Sequence, residues 1–212
     1  SSMRDFCGGT AFAQKLGHNA LVVDQRAHGK SEGHTITFGI KERYDCLAWA
    51  EYAAQRFGPD IPIILTGVSM GAATVLMASS LPLPQNVAAI IADCPYSSPG
   101  EIIRKVSRDV KLPPKLAYPF VVIGALVFGR FKLWETSPVE AVRRTQIPIL
   151  LIHGDDDRFV PCEMSSQIYA ACNSAAELVI FPGAGHALSY FTDTKLYEKT
   201  VLDFLKLYGV LK

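Results

Sequence analysis

Pro62–Ser80, PIILTGVSMGAATVLMASS, is the stretch on which the fold turns. Its first residues are apolar and β-branched and predict a buried strand over Pro62–Thr66. The small apolar residues of Gly71–Ser80 predict a helix. The five residues between, Gly67–Gly71 (GVSMG), must turn the chain sharply from one to the other. Such a turn is expected to lift Ser69 above a sheet in a strained conformation. Gly67 and Gly71 would both be required, because a side chain at either place should meet the neighbouring strand or helix. The turn also aims the backbone N–H of Met70 out of a helix N-terminus, where negative charge is favoured.

The same strand-then-helix alternation extends in both directions. Upstream, the helix Gly9–Leu16 precedes Asn19–Asp24 (NALVVD), an apolar run suited to a strand buried on both faces. A helix comes next over Ile40–Phe57, stopped by Gly58-Pro59. Downstream, Val87–Asp93, Ile149–His153 and Glu177–Phe181 read as strands. Cys162–Cys172 and Asp193–Tyr208 read as helices, the last with Tyr197, Val201, Phe204, Leu205 and Tyr208 on one face. This order predicts an α/β protein with a mostly parallel sheet and helices on both faces. With 212 residues, one domain spanning 1–212 is expected. Residues 96–137 break the rhythm. They read as a helical insertion, Ser98–Val110 and the very apolar Leu116–Phe128, expected to lie over the strand ends as a cap rather than on the domain's side.

The glycine-rich turn gains meaning from two later segments. A serine hydroxyl is a poor nucleophile without a base in reach and a group to hold that base. His153–Pro161 (HGDDDRFVP) comes after one strand with three carboxylates, and Gly183–His186 (GAGH) comes after the last strand with an imidazole. The chain order is serine, acid, histidine, each after a different strand, so their side chains can converge at one sheet edge.

Through VVDQRAHGKS (22–31), GVSMG (67–71), HGDDDRFVP (153–161) and GAGH (183–186), the chain resembles the α/β-hydrolase superfamily along nearly its whole length. The likeness is to bacterial cap-containing esterase and serine aminopeptidase-like members. The resemblance implies a catalytic triad of Ser69 as nucleophile, His186 as base and Asp157 as acid, with Met70 N–H in the oxyanion hole. Asp155 and Asp156 are then solvated turn residues, Asp156 being the rival acid. In the segment resembling DxRGHGxS, where Ala27 replaces the usual glycine, Asp24, Arg26 and His28 are expected to brace a loop. His153 is expected in a turn, and His18 and His34 in loops. Ser1–Phe6 resembles residues just after the family's His-Gly segment. Either the chain is a piece of a longer one, or it lacks the first oxyanion donor, which typically costs ~100- to 1000-fold in rate.

The implied activity is hydrolysis of small to medium acyl or aromatic esters through an acyl-enzyme, the apolar AYPFVVIGALVF favouring an apolar substrate group. Alternatives are a serine peptidase or aminopeptidase-like amide hydrolase, and a non-catalytic ligand-binding relative. No cofactor is implied, and no His pair has metal-ligand spacing. The substrate is expected to be a small molecule; with 21 basic against 20 acidic residues, no nucleic-acid partner is implied, and the oligomeric state is left open. The five scattered cysteines read as free thiols and lean towards a cytoplasmic setting. No apolar run reaches the ~18 residues of a membrane span. The apolar stretch 116–128 is expected to be buried over the site rather than docked on a membrane or partner.

Overall fold

The computed structural model describes residues 7–211, so the reading of Ser1–Phe6 lies outside the described residues. The described contacts separate a short unit ending at Ile36 from a large one beginning at Thr37.

The short unit holds α1 (Cys7–Lys15) and the loop after it. Asn19–Asp24, expected as a strand, forms no ladder among the described residues. Apolar β-branched residues favour an extended backbone, but a strand also needs a hydrogen-bonded neighbour, and that lies beyond local sequence. The next loop is braced as expected. Lys30 N–H donates to Asp24 Oδ2 at 3.0 Å, the Ser31 hydroxyl to Asp24 O at 2.6 Å, and His28 Nδ1 lies 2.9 Å from Arg26 O. Ala27 adopts φ 59°, a left-handed conformation that a glycine would enter without strain.

The large unit is built on a four-stranded, wholly parallel sheet in the order β1 (Ile63–Val68), β2 (Val87–Asp93), β3 (Ile149–Gly154), β4 (Ala176–Phe181). β3 is buried at all six positions, which requires cover on both faces and explains its unbroken apolar run ILLI. Ile90, Ala92, Ile149 and Leu151 pack with Ala72, Val75 and Leu76 of α3 (Met70–Ala78), Val142 of α6 (Pro138–Val142) and Ile168 of α7 (Glu163–Ala171). α9 (Thr194–Leu207) buries Val201, Phe204 and Leu205, the apolar stripe read from its sequence. α2 (Glu42–Phe57) begins two residues later than the apolar periodicity suggests. The buried Glu42 carboxylate takes the N–H groups of Thr37 (2.7 Å) and Gly39 (2.9 Å) and the Thr37 hydroxyl, shaping the turn before the helix.

Between β2 and β3 the chain is helical, as the broken rhythm implies: α4 (Pro99–Asp109), α5 (Pro114–Gly124) and a π-helical turn, Ala125–Gly129. Ser98 caps α4, its hydroxyl accepting from Glu101 N–H at 3.1 Å. The expected burial of Leu116–Phe128 does not occur. No residue of α5 is fully buried, and Leu116, Phe120, Ile123, Val127 and Phe128 stand in solvent. Only the inner side, through Tyr118, Val122 and Ala125, joins the core cluster containing Ile102, Phe131 and Leu133. α8 (Ser189–Thr192) and α6 are short helices that sequence periodicity does not single out.

Candidate active site

Parallel strands end at one edge, and the register places Val68 beside Asp93, Asp93 beside Ile152, and Gly154 beside Phe181. The segments leaving the strands therefore meet at that edge. The ladder runs one step past the strands, with Ser69 N–H donating to Asp93 O and Cys94 N–H to Ile152 O, both at 2.8 Å.

Ser69 sits at φ 55°, ψ −117°, directly before α3. A non-glycine residue there costs of order 1–3 kcal/mol, held by the surrounding packing. Three of the seven described non-glycine residues with positive φ, Ser69, Cys94 and Ala187, lie at this edge. Gly67 is required as expected: a Cβ there would come within 2.3 Å of the Gly71 carbonyl carbon. Gly71 is not. A Cβ on it meets nothing within 4 Å among the described residues; Gly71 enters the close approach through its carbonyl group, which any residue would supply.

His186 bridges the other two residues singled out in the sequence. Its Nδ1 lies 2.7 Å from Asp157 Oδ2 and its Nε2 2.9 Å from Ser69 Oγ. An ionised carboxylate only accepts, so Nδ1 carries a proton, and in the neutral imidazole that leaves Nε2 to accept from the Ser69 hydroxyl. Asp157 is buried, and burial alone would raise its pKa. Hydrogen bonds from His153 and His186 and from Val160 N–H outweigh it and hold the carboxyl well below the usual range. Its Oδ1 accepts from Phe159 N–H at 2.9 Å and Val160 N–H at 2.8 Å. The rival Asp156 instead pairs with exposed Arg158 at 3.1 Å.

The loop carrying His186 is fixed to the acid loop by close backbone approach. A Cβ on Gly154 would come within 2.1 Å of Ala184 O. Asp156 N–H donates to that same oxygen at 3.1 Å. Asp155 is more than a solvated turn residue, since its Oδ1 accepts from Gly183 N–H at 2.6 Å.

His153, expected in a turn, is wholly buried on β3. Its Nε2 faces two acceptors, Val160 O at 2.8 Å and Asp157 Oδ2 at 3.2 Å, so it carries a proton and donates to both. Its Nδ1 lies 2.6 Å from the hydroxyl of buried Ser165. The imidazole ties Asp157 to the turn that supplies its backbone donors. The signal is present in the sequence, because His153 directly follows the apolar run ILLI of a strand buried on both faces.

Two residues at the end of β2 escape sequence reasoning as well. Asp93 is buried, with the Tyr197 hydroxyl as a donor and Oδ1 without a hydrogen-bond partner; burial pushes its pKa up to about 6. Cys94 is buried beside Asp157 and His186, their ligating atoms lying within 4.8 Å of one another, and burial raises its thiol pKa. The four described cysteines, Cys46, Cys94, Cys162 and Cys172, are free; the Cys7 side chain lies outside the described residues. Phe159 stands edge-on to His186, ring centroids 5.0 Å apart, and Lys105 of α4 lies over the Phe159 ring at 5.7 Å. Met70 packs against the core cluster that includes Ile102 and Ala125 of the insertion.

A parallel sheet with a strained serine between strand and helix, and an acid and a histidine on later loops, defines the α/β-hydrolase class. The chain belongs to the alpha/beta hydrolase family, whose family model matches residues 2–197. It is 29% identical over 191 residues to the Bacillus subtilis protein YqkD, covering 90% of this chain and 63% of the length of YqkD. A 72-residue stretch, 34% of this chain and 26% of the relative, is 31% identical to the bifunctional esterase/perhydrolase DCH of Acinetobacter calcoaceticus. Among solved structures, the Pyrococcus furiosus esterase Pf2001 superposes with a TM-score of 0.71 at 27% identity, covering 93% of this chain and 73% of the esterase.

Proposed function

We propose that this protein hydrolyses carboxylic esters of small to medium apolar acids or alcohols through a covalent acyl-serine. The hydrogen-bonded series Ser69–His186–Asp157, at 2.9 and 2.7 Å, carries the proposal. Ser69 Oγ attacks the ester carbonyl while His186 Nε2 takes its proton, and the same nitrogen returns it to the leaving alcohol. Asp157, kept ionised by its four N–H donors, holds the tautomer and offsets the charge of the imidazolium. The Met70 N–H, the first of α3, donates to the tetrahedral oxyanion. Water then enters by the same route and releases the acid.

The esterase names among the similar proteins support esters over amides. The insertion between β2 and β3 serves as the cap: α4 reaches the acid loop through Lys105, which donates to Arg158 O, and the cluster beside Met70 supplies an apolar wall.

Labelling with a fluorophosphonate probe tests the mechanism on the full-length protein. Wild type is expected to label at Ser69, and Ser69→Ala to lose labelling and nitrophenyl-ester hydrolysis by at least ~1000-fold. Unlabelled Ser69, or full activity in Ser69→Ala, overturns it. Faster cleavage of amino-acid nitroanilides than of nitrophenyl esters would reassign the substrate to amides.

A further inference from the structure

The helical stretch from α5 through the π-helical turn is apolar on every side, although only one side has a protein partner. Tyr118, Val122, Ala125 and Gly129 succeed one another at three- and four-residue steps and face inward. Ala125 and Gly129 are buried, and Tyr118 and Val122 pack on the core. The rest of the surface is as apolar: Leu116, Phe120, Ile123, Val127 and Phe128 are exposed, Phe120 at 74% and Phe128 at 85%. A helix hydrophobic all round is expected to be covered all round. With sixteen residues it is roughly 24 Å long, and no described helix is long and apolar enough to cross a membrane.

The charges within this stretch carry one sign, and the acids that flank it, Asp109 and Glu135, are paired with Lys105 and Arg43. From Val110 to Trp134 the sequence has Lys111, Lys115, Arg130 and Lys132 and no aspartate or glutamate. Two cations stand at each end of the helical stretch. None of the four pairs with a carboxylate among the described residues. Phe131 and Leu133 anchor the exit in the core and leave Trp134 outside, 55% exposed. The cations decide between candidate covers. A second copy docked face to face would bring Lys111 and Lys115 against the same residues, or against Arg130 and Lys132, in either orientation, which is repulsive. Anionic lipid headgroups complement them, while Phe120, Ile123, Val127 and Phe128 enter the acyl boundary and Trp134 sits at the interface.

We infer that the outer face of residues 111–134 is a membrane-surface docking site that lies on anionic bilayers without spanning them. The inference rests on exposure and charge, and it stands whether or not the chain is an esterase.

Vesicle co-sedimentation of the full-length protein tests it, with phosphatidylcholine vesicles compared against vesicles containing roughly one-third phosphatidylglycerol. Binding is expected to be at least ~10-fold tighter to the anionic vesicles and to weaken as salt is raised. Phe120→Ser with Phe128→Ser should weaken it ~10-fold or more, and Lys115→Glu with Lys132→Glu should do the same. Trp134 fluorescence, read in a Trp49→Phe background, should shift to the blue on binding. All these positions are exposed, so circular dichroism and fluorophosphonate labelling at Ser69 should match wild type. Failure to sediment with anionic vesicles overturns the inference, as does binding that the charge reversals leave intact. A dimer in sedimentation equilibrium that the phenylalanine pair abolishes, without vesicle binding, would assign the face to a second copy instead.

Discussion

The loops after β3 and β4 differ sharply from the segment after β2, although all three start from one sheet edge. After β3, Asp157 takes four N–H donors, Asp155 takes one from the facing loop, and the two loops touch backbone to backbone at Gly154 and Ala184. At the end of β2, Asp93 has a tyrosine hydroxyl on its carboxylate and an unpartnered Oδ1, and the chain then enters helices whose outer surface is bare and apolar. The lesson is that depth of burial does not decide whether a carboxylate stays ionised. The donors it collects do. Full satisfaction keeps Asp157 charged, as its proposed role of orienting His186 requires, whereas a poorly satisfied carboxylate resists ionisation.

The largest expected effect removes that satisfied charge. Asp157→Asn keeps the shape but leaves His186 Nδ1 without an anionic acceptor, so the tautomer that serves Ser69 is no longer held. The proposed ester hydrolysis should fall by about 10⁴-fold in kcat at neutral pH, measured with nitrophenyl esters. A loss under tenfold would show that the four-donor network is only structural.

The second effect contrasts the two acids as they titrate. Asp157, with its pKa lowered, contributes stability that is present above the ordinary carboxylate range and is lost only in strong acid. Asp93 has the opposite sign. Its pKa is raised from 3.8 to about 6 by burial, so between those values the folded state binds more protons than the unfolded one, and stability falls as pH rises. Above pH ~6 the full penalty, about 2–3 kcal/mol, is in place. Asp93→Asn should therefore gain on wild type by about that amount between pH 4 and pH 8, read from urea unfolding at several pH values. A wild-type-minus-variant difference that stays flat with pH would remove the contrast.

How far the sequence foretells this runs along the same division. The strands of the large unit are legible because each carries an apolar run of three or more residues, and β3 is so deeply covered that its composition alone reveals it. Ser69, Asp157 and His186 are legible because each lies in a short motif at the end of such a run. His153 misleads, since the motif draws attention to its turn while its ring belongs to the strand. Asn19–Asp24 reads like β3, yet it has no ladder among the described residues, because pairing depends on a neighbour that local pattern does not contain. The apolar insertion is legible as helix but not in its exposure: hydropathy reports what a helix seeks to bury, not what is there to bury it. Gly71 looks as necessary as Gly67 because a motif records residues, whereas close approach is a fact of three dimensions.

Paired glycines give the smallest effects and the most direct comparison of the two regions. In Gly154→Ala the new Cβ would lie 2.1 Å from Ala184 O, and backbone cannot yield as a flexible side chain can. The loop carrying His186 must then move away from the acid loop. A displacement near ~1 Å should lower kcat by about 10²-fold, with a smaller change in KM. Gly124, at the end of α5, has helical φ −58° and ψ −44°, and a methyl group added there would meet nothing within 4 Å among the described residues. Gly124→Ala should leave activity unchanged and raise stability by about 0.5–1 kcal/mol, since alanine restricts the unfolded chain and favours the helix. Equal responses at the two positions would mean that the loops after β3 and β4 are no more tightly determined than the insertion, and the contrast between the two regions would fail.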